Sequence, residues 1–370
     1  MSDHNILTPQ GWILGHLEHQ DGRVTAIPGQ PCDPQTNDLP YLLPGFIDLH
    51  IHGGGGKDIM QGRDAFDTIA RTHLRFGTTS LLATTMTAPP EELTEVLSAL
   101  GDYCVQRPPG TARVLGVHLE GPFINPSKLG AQPNFAHSAL LSEIEHYLSL
   151  APIRVITIAP EIAGHLQLIR ELSQRGIRLQ LGHTLGSYEE GVAALDAGAS
   201  SFTHLYNAMS ALHHREPGIV GAALAHAHYA ELIPDLLHVH PGAMRVALRA
   251  IPRLYCVTDS TAAAGMPDGE YKLGSHTVTK CLGGVRLADG TLAGSTLTMD
   301  QALRNLVKIG VPLPEASQRL SQFPADYLGL EERGRLQIGS WADCVELDRS
   351  LKVQAVMVEG EAIELELKNA

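Results

Sequence analysis

Eight apolar, β-branched runs recur along the middle of the chain, nearly all ending in polar residues or glycine. They are FIDLHIH (46–52), TTSLLATT (78–85), RVLGVHLE (113–120), RVITIAPE (154–161), RLQLGHT (178–184), SSFTHLYN (200–207), ELIPDLLHV (231–239) and LYCVTDS (254–260). Short runs of this kind predict strands. Between most of them the apolar period lengthens to that of a helix. PPEELTEVLSALGDYC opens on prolines, which suit a first helical turn, and then carries an apolar face. GHLQLIRELSQRG stops at a glycine, and SYEEGVAALDAG begins at a capping serine and stops the same way. Strand–helix alternation repeated eight times predicts an α/β fold, a (β/α)8 barrel over residues 44–332. A doubly wound open sheet is the alternative reading of the same pattern. Residues 1–43 and 333–370 differ: runs such as GHLEHQDGRVTAI and LKVQAVMVEGEAI are short and alternating. The two ends are expected to pair into one small β-sandwich-like module beside the barrel.

A barrel of this type builds its active site at the C-terminal ends of the strands. Strand one ends in His50 and His52, whose spacing puts both imidazoles on one face. Strand three offers His118 and Glu120, strand five His183, strand six His204, strand seven His238 and His240, and strand eight Asp259. A single histidine at a strand end is more often structural than a ligand. So many imidazoles and carboxylates at one rim point instead to divalent metal, and the set exceeds what one tetrahedral ion needs. Zinc, iron, cobalt and manganese all suit such donors. Within the set, His118 and His240 are the members expected to have structural roles. Gly53 to Gly56, which follow His52, are expected to let the first loop pass close to the site.

Composition narrows the function classes. The chain has 370 residues, 44% of them hydrophobic and only 5% aromatic, with 37 glycines. Its formal charge of −13 opposes general binding to nucleic acid or to anionic membranes. The five cysteines are scattered without a C-x-x-C pair, against a disulfide framework or a thiolate zinc site. The N-terminal stretch lacks a basic-then-apolar leader and no apolar run reaches 18 residues, so a soluble, cytoplasmic protein is expected.

Several stretches carry a family resemblance over nearly the whole chain: LPGFIDLHIHGGGG, GVHLEGPFINPSKLGAQP, LGHT, THLYNAMSALHHREPG, DLLHV, VTDSTAAAG, LAGSTLTMDQAL and GRLQIGSWADCVELD. The chain resembles the amidohydrolase superfamily and, more closely, its N-acetylglucosamine-6-phosphate deacetylases. That resemblance implies hydrolysis of the acetamide of a phosphorylated amino sugar, with Asp259 as general base and acid. It implies one or two divalent ions, zinc first: Glu120 shared, His183 and His204 at one site, and His50, His52 and Asp259 at the other. Asn207, Ala208 and Arg215 resemble phosphate contacts, the arginine reaching in from a neighbouring subunit, which implies a homodimer. Asp235 and His238 belong to a segment meeting the sugar and its acyl group. Ala131 and Gln132 resemble substrate contacts, although some relatives carry histidine where this chain has Gln132. Leu292, Ala293 and Gly294 resemble a loop closing on the substrate. Many binuclear relatives bridge their metals with a modified strand-four lysine. Here the only lysine between residues 121 and 182 is Lys128, in a loop, so Glu120 is the expected bridge. A deacetylase for the galactosamine epimer, or another amide hydrolase of the superfamily, is the alternative.

Overall fold

A computed structural model describes residues 3–281 and 283–365. Eight parallel strands form the barrel: β1 (Phe46–Ile51), β2 (Thr78–Thr84), β3 (Arg113–Glu120), β4 (Ile153–Ile158), β5 (Arg178–Leu181), β6 (Ser201–Phe202), β7 (Glu231–Leu232) and β8 (Tyr255–Cys256). The first six are hydrogen-bonded in sequence order, and β7 pairs with β8. The Leu205 N–H donates to the Glu231 carbonyl (2.9 Å), joining the end of β6 to β7. The Asp259 N–H donates to the His50 carbonyl and the His52 N–H to that of Ser260, each at 2.9 Å, joining the segment after β8 to β1. The ring is closed, and the open-sheet alternative falls. Alternation on β1 sends Ile47, Leu49 and Ile51 into the main apolar core, while Asp48 and His50 face the other way and are equally buried.

The later strands are shorter than the runs that signalled them, for local reasons. Pro234 cannot donate to a ladder, and the Asp235 carboxylate then takes the N–H groups of Leu237 and His238 (both 2.8 Å), so the chain leaves the sheet after Leu232. His183, His204 and Asp259 lie just beyond β5, β6 and β8 with φ of 48°, 29° and 50°. Residues with side chains enter this left-handed region at a cost, and such positions concentrate at functional sites. The helix that follows β5, Tyr188–Asp196, opens on the expected cap. The Ser187 hydroxyl accepts from the Glu190 N–H (3.2 Å), and the Glu190 carboxylate accepts from the Ser187 N–H (2.7 Å).

Both chain ends enter one seven-stranded sheet, in the order Glu361–Ile363, Val353–Val358, Cys344–Leu347, Tyr41–Pro44, His4–Thr8, Gly11–Gly15 and Gly29–Pro31. Ile6, Leu17, Val24, Leu42, Leu336, Ala342 and Cys344 make a second apolar cluster there. We propose the division 1–43 plus 333–370 against 44–332 because each part keeps such a cluster; Tyr41–Pro44 leads straight from one into the other. Glu359 fastens the parts together. Its carboxylate accepts from Arg113 at the start of β3 (2.8 and 2.9 Å), from Arg107 (3.2 Å) and from Arg333.

One element was not foreseen. Gly269–Leu273, His276–Cys281 and Gly284–Arg286 form an antiparallel sheet between β8 and the next long helix, Met299–Lys308. It shares an apolar cluster with Met86, Ala263 and Ala293 and covers the C-terminal mouth of the barrel. The alternating GEYKLGSHTVTKC, with Gly-Ser at its turn, was the signal that could have found it.

Candidate active site

A cavity of about 370 Å³ opens at the C-terminal ends of the strands. Its floor carries Glu120, at the last position of β3 and 1% exposed. Glu120 Oε1 lies 3.1 Å from Nε2 of both His183 and His204, and Oε2 lies 3.1 Å from Nε2 of His52. Asp259 Oδ1 is 3.3 Å from His52 Nε2 and 3.5 Å from His50 Nε2. Thus His50, His52 and Asp259 form one tight group, Glu120, His183 and His204 another, and Glu120 stands between them.

The far ring nitrogens show what these imidazoles are prepared for. His52 Nδ1 meets the Thr84 carbonyl (3.2 Å), His183 Nδ1 meets the Lys128 carbonyl (2.7 Å), and His50 Nδ1 meets the buried Glu231 carboxylate (3.0 Å). A carbonyl only accepts, so each Nδ1 carries the hydrogen and each neutral ring presents a bare lone pair at Nε2. Yet His50 Nε2 and His52 Nε2 face each other at 3.1 Å, and His183 Nε2 and His204 Nε2 at 3.0 Å. The Nδ1 of His204 meets no hydrogen-bond partner, so no contact fixes its tautomer. For His50 and His52 the facing groups are opposed lone pairs, which inside a buried site need positive charge between them. Protons would supply it in part: burial opposes protonation of His52, but its hydrogen bonds to Asp259 and Glu120 raise its pKa to about 9. Divalent ions supply it better, and the nitrogen and oxygen donors fit zinc, iron, manganese or cobalt.

Glu231 opens β7, away from the strand ends at which the sequence pattern places candidate ligands. It is fully buried and also accepts from the His204 N–H (3.2 Å) and the Tyr255 hydroxyl (3.3 Å). Carboxylates that hold a ligating histidine by its second nitrogen commonly tune metal affinity 10–100-fold. Glu231→Gln is therefore expected to weaken metal binding by about that factor, read by chelator competition; unchanged affinity would remove it from this role.

Neither His118 nor His240 joins those two groups, although His118 packs against His50 and forms a third, fully buried cluster with it and Glu231. His118 is tied to the Leu49 carbonyl (3.1 Å) and the Thr157 hydroxyl (2.8 Å), and burial lowers its pKa to about 4. His240 is exposed and caps a helix, taking the Gly242 N–H (3.1 Å). Gly53 to Gly56 do not line the cavity. The glycine at 53 instead serves the close approach of another loop: a Cβ there would lie 2.6 Å from the Ala262 nitrogen.

Ala131, Gln132, Asn207, Ala208, His238, Leu292 and Gly294 line the cavity. Gln132 is committed at both ends of its amide. Its oxygen accepts from the Thr87 N–H (2.7 Å), which leaves the nitrogen to donate to Glu120 Oε2 (2.6 Å). Asp235 stands behind His238, its carboxylate 2.6 Å from Nδ1. Burial opposes protonation of His238, but that hydrogen bond and the charge of Asp235 raise its pKa. Ala293 is buried in the apolar cluster shared with the three-stranded antiparallel sheet, its N–H on the Val285 carbonyl (3.0 Å), and does not face the cavity. Arg215 is exposed, lies off the cavity, and is paired with His214 (2.7 Å).

The Amidohydrolase family matches residues 41–363 of this chain. An N-acetylgalactosamine-6-phosphate deacetylase of Escherichia coli O157:H7 is 41% identical, over 96% of this chain and 97% of its own. An N-acetylglucosamine-6-phosphate deacetylase of Vibrio furnissii is 36% identical, over 98% and 91%. Among solved structures, an N-acetyl-D-glucosamine-6-phosphate deacetylase variant of Mycobacterium smegmatis, in complex with N-acetyl-D-glucosamine-6-phosphate, superposes with a TM-score of 0.90. It is 34% identical and covers 98% of each chain.

Proposed function

The chain belongs to the amidohydrolase family and, within it, to the N-acetylglucosamine-6-phosphate deacetylases, and from that premise we propose that it hydrolyses N-acetyl-D-glucosamine 6-phosphate to D-glucosamine 6-phosphate and acetate. The observation that carries the reading is the convergence of Glu120, His183, His204, His52 and Asp259 on the lining of one cavity, with His50 buried directly against them. A divalent cation, which these residues would hold, would lower the pKa of a water and polarise the acetamide carbonyl. Asp259 takes the proton from the attacking water and delivers it to the departing amine as the C–N bond breaks. His238, whose protonated form Asp235 favours through the contact at Nδ1, would donate to the carbonyl oxygen as it gains charge. Gln132 fixes the orientation of Glu120 through the 2.6 Å bond.

Zinc is the favoured ion, and retention of both His50 and His52 favours two ions over one. No described helix is long and apolar enough to cross a membrane, and we assign the enzyme to the cytoplasm. The family resemblance points to Arg215 as a contact to the phosphate of a substrate bound by a second copy, in a homodimer, and we keep that assignment; Arg215 lies off the cavity of its own subunit. A second reading, the galactosamine epimer, is favoured by the 41% identity to the Escherichia coli O157:H7 relative. The two substrates differ only in the orientation of one hydroxyl. The test is kcat/KM of the metal-loaded protein on both 6-phosphates. The glucosamine epimer is expected to be the better substrate; acetate release from neither would overturn the assignment.

A further inference from the structure

A hexosamine 6-phosphate carries close to two negative charges at neutral pH, while the floor of the cavity is itself carboxylate-rich, with Glu120 and Asp259. Productive binding needs a cation at the other end of the sugar. Lys128 is the single lysine or arginine among the described residues lining the cavity.

Its position is built from both directions. The loop after β3 makes one tight turn over Pro126–Lys128, in which the Asn125 side chain takes the Ser127 N–H (2.8 Å). The Lys128 ammonium then reaches across to the Met209 carbonyl (3.2 Å), next to Ala208. Asn207 and Ala208 line the same wall, and Ala208 has φ 51°, the left-handed conformation. An ammonium has three donors, and one is used on Met209. Meanwhile the Lys128 carbonyl holds His183 by Nδ1 (2.7 Å). The backbone of this residue therefore holds a metal-ligand candidate, while its side chain reaches the wall at Met209.

We propose that Lys128 is the intrasubunit cation that selects 6-phosphorylated substrates, paired across the phosphate with the turn at Asn207 and Ala208. The assignment rests on the deacetylase reading and adds a residue to it. It is independent of Arg215, which lies outside the cavity of its own subunit.

The experiment compares metal-loaded wild type, Lys128→Gln and Lys128→Arg on N-acetylglucosamine 6-phosphate and on N-acetylglucosamine, with bound metal measured in each. In Lys128→Gln the ratio of kcat/KM for the phosphorylated over the free sugar is expected to fall about ten- to a hundredfold, mostly through KM. Lys128→Arg is expected to recover much of it. Bound metal is expected to stay constant, because a backbone carbonyl orients His183. A loss shared equally by both sugars, or a fall in bound metal that accounts for it, would overturn the proposal. Calorimetry with glucosamine 6-phosphate separates this from the parent reading. Wild type that releases no acetate yet binds this sugar in a Lys128-dependent way refutes the deacetylase assignment alone. Equal affinity in wild type and Lys128→Gln refutes the Lys128 assignment alone.

Discussion

Asp259→Asn is expected to lower kcat about a thousandfold, roughly 4 kcal/mol in the barrier, with folding and ligand binding retained. The substitution keeps the shape of the side chain and removes its capacity to accept and return a proton. The backbone favours the exchange: φ at this position is 50°, and asparagine tolerates that region better than almost any residue besides glycine. The hydrogen bonds holding the segment are main-chain bonds, from the Asp259 N–H to the His50 carbonyl (2.9 Å) and from the Ser295 N–H to the Asp259 carbonyl (2.7 Å). An amide oxygen can also stay near His52 and His50, where Oδ1 now lies at 3.3 and 3.5 Å. Metal content and glucosamine 6-phosphate affinity should therefore change little beside turnover. A kcat within tenfold of wild type would remove Asp259 from proton transfer.

The largest effect on stability is expected at Glu359. Its side chain is 11% exposed and accepts from three guanidinium groups, those of Arg107, Arg113 and Arg333. Removing one partner of a buried ion pair costs about 3–5 kcal/mol because the remaining charge stays desolvated. The lower end applies here, since Arg333 keeps Asp343 and Arg107 keeps Glu361 while Arg113 loses its carboxylate partner. Glu359→Gln should thus lose about 3 kcal/mol in denaturant unfolding at neutral pH. Burial alone would raise the pKa of Glu359, but the hydrogen bond from Arg113 and the charge of Arg333 bring it from 4.5 down to about 2. A carboxylate with a depressed pKa stabilises fully above its unfolded value and loses that contribution as pH falls towards the folded one. The gap between wild type and variant should be constant above pH 4.5 and shrink between there and about pH 2. A gap that does not narrow on acidification would show that packing, and not charge, is what the variant loses.

The barrel was legible because two simple periods, that of strands and that of helices, alternate over most of the chain. His50 and His52 could be read as a pair since side chains two apart on a strand must share a face. His183, His204 and Asp259 were found at the ends of runs, although none lies in a strand; left-handed turns aim them, and no periodicity encodes a turn's handedness. Glu231 escaped because a carboxylate at the start of a strand looks the same whether it faces solvent or holds a histidine. Pro234 stood in plain view inside ELIPDLLHV and was outweighed by the apolar residues around it. The three-stranded antiparallel sheet was readable in principle from its Gly-Ser turn. Arg215 shows the opposite limit: a family resemblance suggested a role to which its own subunit's cavity gives no geometry.

The strand order of the terminal sheet has a bearing on biogenesis. Tyr41–Pro44 lies between His4–Thr8 and Cys344–Leu347, so the segment that feeds the first barrel strand borders one made only after the whole barrel has been translated. On the ribosome Tyr41–Pro44 emerges with one edge bare, and that edge is satisfied only when Cys344–Leu347 has followed. A nascent chain of this design must keep a sticky ribbon from engaging its neighbours throughout synthesis. Stalling or premature termination ahead of Cys344–Leu347 would then leave a barrel with an unprotected flank, a natural substrate for chaperones.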